Sequence, residues 1–65
     1  MDINDVVVLR NDYPEEGLKK GVRGVIVAIF EHPELAYEVE FCDDEGRTLT
    51  EVVVRPDLIE VIRTF

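Results

Sequence analysis

The chain has few of the residues that catalytic and metal sites use most. It contains no serine, tryptophan or glutamine, and it has one histidine and one cysteine. A single cysteine cannot form an internal disulfide, which fits a reducing compartment. Nucleophilic catalysis would need Cys42 beside His32, and a zinc site would need further histidine or cysteine ligands. We therefore expect no enzymatic activity, no metal and no cofactor, with Cys42 as a core or strand-end residue and His32 as a turn residue.

Basic residues are also scarce, since seven lysines and arginines stand against fifteen acidic residues, for a net charge of −8. Most of this charge falls after residue 24. Nucleic-acid binding is disfavoured, because phosphate contacts need clustered lysine and arginine. No apolar run approaches the roughly 20 residues of a membrane span. Asp2 and Asp5 stand where a signal peptide is basic, so we expect a cytoplasmic protein.

The longest apolar run, Val25–Phe30, follows a segment marked by Gly21 and Gly24. Glycine permits a positive φ or the close approach of another strand. Four of the six residues in the run are β-branched, which favours a strand. Because no helix is predicted after the glycines, they indicate a turn and a strand entry rather than a phosphate-binding loop.

Short β-rich segments separated by turn residues predict one domain over residues 1–65. We expect a frayed start at residues 1–4, a long loop from residue 11 to 21, a 3₁₀ turn at 56–58 and strands at about 5–10, 22–30, 36–41, 47–54 and 59–62. In the third strand Tyr37, Val39 and Phe41 share one face, and Glu38 and Glu40 the other. This pattern predicts an all-β fold, a small SH3-like barrel.

The segment from Asp43 to Gly46 predicts a hairpin, with Gly46 in the left-handed conformation and a bulge beside it. One bulge residue exchanges inside and outside positions, so the facing of the fourth strand stays open.

Several motifs resemble a family of small bacterial proteins frequent in cyanobacteria, the domain of unknown function family 4926. They are DVVVL at 5–9, YPEEGLKKG at 13–21, GVIV at 24–27 and AYEVEF at 36–41. The resemblance implies an SH3-like fold and no catalytic residues. A looser similarity, limited to residues 21–26, links the chain to the SH3-like barrels of nitrile hydratase β-subunits and KOW-type proteins.

Two surfaces are candidates for binding. One is the long loop, which combines an aromatic, an apolar anchor and a cationic cluster in Tyr13, Leu18, Lys19, Lys20 and Arg23. The other is an acidic face formed by Glu38, Glu40 and Glu51. The simpler alternatives are that Tyr13 and Leu18 fix the loop to the barrel, and that the acids only solubilise the protein. A weak divalent-cation site at residues 43–45 is a further alternative, although it lacks the ligand spacing of a calcium loop.

These observations favour a non-enzymatic protein-interaction module. Valines on both faces of residues 6–8 and 52–54 predict a homodimer, because a barrel has only one interior. The alternative is an acidic partner of a basic protein, of the antitoxin or immunity type. Nucleic-acid binding through Lys19, Lys20 and Arg23 is a third, less favoured interpretation.

Overall fold

The computed structural model describes residues 1–64, which form five strands and two 3₁₀ turns. The strands are β1 (Val6–Leu9), β2 (Arg23–Phe30), β3 (Ala36–Cys42), β4 (Thr48–Val54) and β5 (Ile59–Arg63). The 3₁₀ turns cover Pro14–Glu16 in the first loop and Pro56–Leu58 before β5. Each predicted strand is present, with ends that differ by at most one residue.

All neighbouring strands are antiparallel, and the sheet order is β4-β3-β2-β1-β5. The first strand, β1, pairs with the last, β5, which forms one edge of the sheet. Strand β4 forms the opposite edge. The 3₁₀ turn Pro56–Leu58 connects the two edge strands. This arrangement is the small SH3-like barrel that the sequence predicts.

The core lies on one face of this curved sheet. Its buried apolar side chains are those of Val7, Leu9, Leu18, Ile26, Tyr37, Val39, Phe41, Val54 and Ile59. The alternation predicted for β3 is confirmed, because Tyr37, Val39 and Phe41 are buried while Glu38 and Glu40 are half-buried on the other face. Burial of this apolar set supplies the main driving force for folding.

The facing of β4, left open by the sequence, is decided by a bulge. Phe41 pairs with Thr50, but Cys42 pairs with Thr48, so Leu49 is the extra residue. Beyond the bulge Val52 is half-buried and Val54 is buried, whereas Glu51 and Val53 are exposed. Because of the bulge, these two exposed residues lie on the same outer face as Glu38 and Glu40.

The β3–β4 hairpin closes as predicted. Gly46 has a φ of 82°, and its amide donates to the Asp43 carbonyl at 3.0 Å. Asp43 Oδ1 accepts from the amides of Glu45 and Arg47, each at 2.9 Å. Side-chain bonds of this kind replace backbone partners in a tight turn, so Asp43 holds the loop closed.

The long first loop is fixed to the barrel by a small hairpin of its own. Tyr13 and Leu18 exchange backbone hydrogen bonds of 2.8 and 3.1 Å around the 3₁₀ turn. The side chain of Leu18 is only 4% exposed and belongs to the core, and Tyr13 packs against that core. The prediction that Leu18 contributes to an interaction surface is therefore wrong, because its apolar side chain is buried.

The start of the chain also differs from the frayed segment predicted for residues 1–4. The Asn4 amide donates to the Ile26 carbonyl at 2.8 Å, which extends the contact between β1 and β2. Asp5 is buried, and its carboxylate accepts from the Asp2 amide at 2.8 Å. These bonds hold the first residues against the sheet.

Candidate acidic interface on the outer face of β3 and β4

The candidate site is the acidic face, formed by Glu38 and Glu40 on β3 and Glu51 on β4. Glu40 stands directly opposite Glu51 in the strand pairing, and Glu38 stands opposite Val53. Directly opposed carboxylates on one face of a sheet repel each other. The structure thus brings together the three acids that the sequence singles out.

The electrostatics of the acidic face show how close its charges are. The Glu38 carboxyl, through a hydrogen bond and through its charge, raises the pKa of Glu51 above its ordinary value. Glu40 accepts a hydrogen bond from the Thr48 hydroxyl at 3.2 Å. Within residues 1–64, no lysine or arginine forms an ion pair with any of the three carboxylates. The face therefore concentrates negative charge that no ion pair neutralises.

We expect Glu51→Gln to raise the melting temperature at pH 7, because the substitution removes a charge that Glu38 and Glu40 repel. The folded-state pKa of Glu51 lies above its unfolded value of 4.5. The contribution of Glu51 to the stability of the wild type is therefore fully present below pH 4.5, and it is lost as the pH rises through the raised pKa. The advantage of the variant should disappear toward pH 4, as thermal melts across this range will show. Glu34→Gln, in the exposed β2–β3 loop, is the control and should change little at either pH.

Asp43 and Glu45 are engaged within their own hairpin. Arg47 Nε binds Asp43 Oδ2 at 2.9 Å, and Arg47 Nη2 binds Glu45 Oε1 at 2.8 Å. Hydrogen bonds from the Arg47 amide and side chain, joined by the Glu45 amide, lower the pKa of Asp43 although partial burial opposes them. No cluster of three metal-ligating side chains occurs in the part of the chain that the structure describes.

The cationic candidates lie apart from the acidic face, except for Arg23. Lys19 and Lys20 are exposed at the end of the first loop, where the Lys20 amide donates to Asp12 Oδ1 at 2.8 Å. Arg23 is exposed on β2, paired with Cys42 and diagonal to Glu40. The first loop therefore offers charged side chains, while its two apolar residues pack inward.

Cys42 and His32 lie at opposite ends of β3. His32 precedes the strand in the β2–β3 loop, and Cys42 is its last residue. At strand rise the seven residues of β3 span about 23 Å. Burial, followed by the charges of Glu40 and Asp43, raises the pKa of the Cys42 thiol. The thiol form is therefore favoured at neutral pH, and the two side chains do not meet.

Two apolar residues lie beside the acidic face; the sequence analysis covered Val53 only within the valines at 52–54 and did not name Leu49. Val53 is 49% exposed and Leu49 is 53% exposed, both on β4. The outward position of Val53 depends on the bulge, so alternation alone could not identify it. The valines at 52–54 were the only signal in the sequence.

No helix in residues 1–64 is long and apolar enough to cross a membrane. No curated protein and no solved structure matches the chain. The looser similarity to nitrile hydratase and KOW-type barrels therefore stays a prediction. One family model does match, over residues 3–61, which is nearly the whole chain and includes all the motifs quoted above. The chain therefore belongs to the family described as Domain of unknown function (DUF4926).

Proposed function

We propose that this protein is a non-enzymatic interaction module whose acidic face binds a cationic surface of another protein. The observation that carries the proposal is the set of three neighbouring carboxylates, none of which forms an ion pair in residues 1–64. Repulsion between the directly opposed carboxylates of Glu40 and Glu51 destabilises the fold. A cationic partner would attract both carboxylates and so replace this repulsion with a favourable interaction. A neutralising partner of a basic protein, of the antitoxin or immunity type, is one form of this function.

The composition supports the same proposal. A net charge of −8 on 65 residues favours encounter with cationic partners over anionic ones. Electrostatic complementarity of this kind accelerates association and rejects like-charged partners, and it weakens as salt screens the charges.

The test is affinity capture from native lysate with the wild-type protein and two variants of equal charge. Glu38→Gln/Glu40→Gln/Glu51→Gln neutralises the acidic face. Its control, Glu31→Gln/Glu34→Gln/Glu60→Gln, removes the same charge from exposed positions elsewhere. We expect the wild type and the control to capture the same basic protein, and the face variant to lose most of it.

The purified partner should then bind about tenfold more weakly to the face variant than to the control, a difference of roughly 1.4 kcal/mol. Raising the salt concentration should weaken binding to the control more than binding to the face variant. Equal capture by both variants, or a partner that is itself acidic, would contradict the proposal.

Self-association is a second candidate, favoured by the valines on the outer face of the other half of the sheet. Val6, Val8 and Val25 are half-buried there, and Val27 is 40% exposed. A second copy would cover these side chains. Light scattering after size-exclusion chromatography should then give twice the monomer mass of 7.5 kDa. A monomer mass at high protein concentration would contradict it.

A further inference from the structure

Strand β4 has a free edge next to the acidic face, and the proposed function assigns no role to this edge. Strand β4 spans seven residues and pairs only with β3 among the described strands. About half of its backbone N–H and C=O groups therefore point away from the sheet. Soluble proteins usually protect such edges with lysine, proline, a bulge or a short strand. Here the bulge at Leu49 and a 3.4 Å hydrogen bond from the Thr50 hydroxyl to Glu16 of the first loop protect only the first part of the edge, and exposed Val53 lies beyond them.

A surface groove runs beside the C-terminal half of this edge. One wall contains Val53 and Val54 of β4, and the other is the first loop with Asp12, Tyr13 and Glu15. Half-buried Leu58 also lines the groove. The groove thus combines apolar side chains with a strand edge, the combination that takes up an extended peptide by strand addition.

Charge indicates the chemistry of the peptide. A strand added to β4 would bring alternate side chains onto the outer face, next to Glu51 and Val53. Its other side chains would face the side of Asp12 and Glu15. Cross-strand pairs of opposite charge are favourable, and pairs of like charge are not. The one cation of the groove, Arg55, already has Asp57 at 3.4 Å.

From this edge, groove and charge pattern we propose that β4 adds an extended segment of a partner protein, in which lysine or arginine alternates with β-branched residues. The inference rests on the proposed function and names the mode of binding at the same face. A second copy of β4 fits less well, because antiparallel pairing centred on Glu51 would place two glutamates opposite each other.

The test uses a capped peptide of about eight residues that alternates lysine and valine, the length that spans β4. Nuclear magnetic resonance of the labelled protein should show saturable shifts at β4. Alternate β4 amides should also exchange more slowly with solvent when the peptide is bound. A peptide that alternates glutamate and valine is the control for charge, and we expect it to bind at least about tenfold more weakly.

Two N-methylated forms of the lysine peptide test the backbone pairing. One is methylated at odd positions and the other at even positions, so only one of them keeps the N–H groups that face β4. We expect one form to bind like the parent peptide and the other to lose binding. On the protein, Val53→Lys should weaken binding about tenfold, while Leu35→Lys, at an exposed position in the β2–β3 loop, should not.

The outcomes separate this inference from the proposed function. Equal binding of both N-methylated forms, or no change in β4 exchange, would overturn strand addition. The lysate capture would still decide on the acidic face. Equal binding of the glutamate peptide would overturn the basic segment, and pairing of β4 between two copies of the protein would overturn the choice of a foreign partner.

Discussion

Gly24→Ala is expected to lower the free energy of unfolding by about 3 kcal/mol, at the upper end of the cost of overpacking a core. A Cβ atom at residue 24 would lie 2.5 Å from Val39 Cγ1, 2.9 Å from Phe41 Cδ1 and 3.0 Å from the Glu40 carbonyl oxygen. Val39 and Phe41 are fully buried, so neither side chain has free space to move into. The carbonyl belongs to the β2–β3 pairing, which would have to separate. Urea denaturation followed by circular dichroism measures the loss.

Two further variants identify steric overlap as the cause. Gly24→Ala/Val39→Ala removes the nearest methyl group and should cost less than the sum of its two single substitutions. Gly17→Ala is the control for backbone strain, since nothing lies within 4 Å of its Cβ position but its φ is 69°. We expect it to cost about 1 kcal/mol. Additive costs at residues 24 and 39 would argue against the overlap.

Phe41→Ala should remove roughly half of the free energy of unfolding. Phe41 is the largest side chain among those that are fully buried. Removing a buried phenylalanine costs about 3–5 kcal/mol through lost burial and the cavity left behind. A domain of this length has roughly 3–10 kcal/mol of stability in total. A large fall in the melting temperature or loss of the cooperative transition, followed by circular dichroism, is the measurement.

Phe30→Ala is the matched control, because Phe30 lies at the end of β2 with 43% of its surface exposed. We expect it to lower the melting temperature slightly and to keep the cooperative transition. If both variants unfolded alike, the core would not have the position that the structure gives it. If neither did, the fold would depend on contacts other than those of Phe41.

The sequence predicted only part of the candidate site. Glu38 and Glu40 could be placed on one face, because alternation in β3 is unbroken and its other residues are apolar. Glu51 required the register of β4, which a single bulge at Leu49 sets. The free edge beside it required the order of strands in the sheet, a long-range property that local pattern does not encode.

For Leu18 the local sequence was misleading. Its neighbours Gly17 and Lys19 predict a surface loop, yet the Tyr13–Leu18 hairpin turns its side chain into the core. Loop residues are placed by backbone hydrogen bonds between positions several residues apart. Composition alone does not show these bonds.

The sequence by itself determined the β-branched strands, the turns at Gly46 and Pro56, the SH3-like fold and the excess of negative charge, because each depends on residue type or on short spacing. Only the tertiary structure decided which valines are covered, which acids oppose one another and which strand keeps a free edge. These depend on register and strand order, where one extra residue in β4 moves every later side chain to the other face.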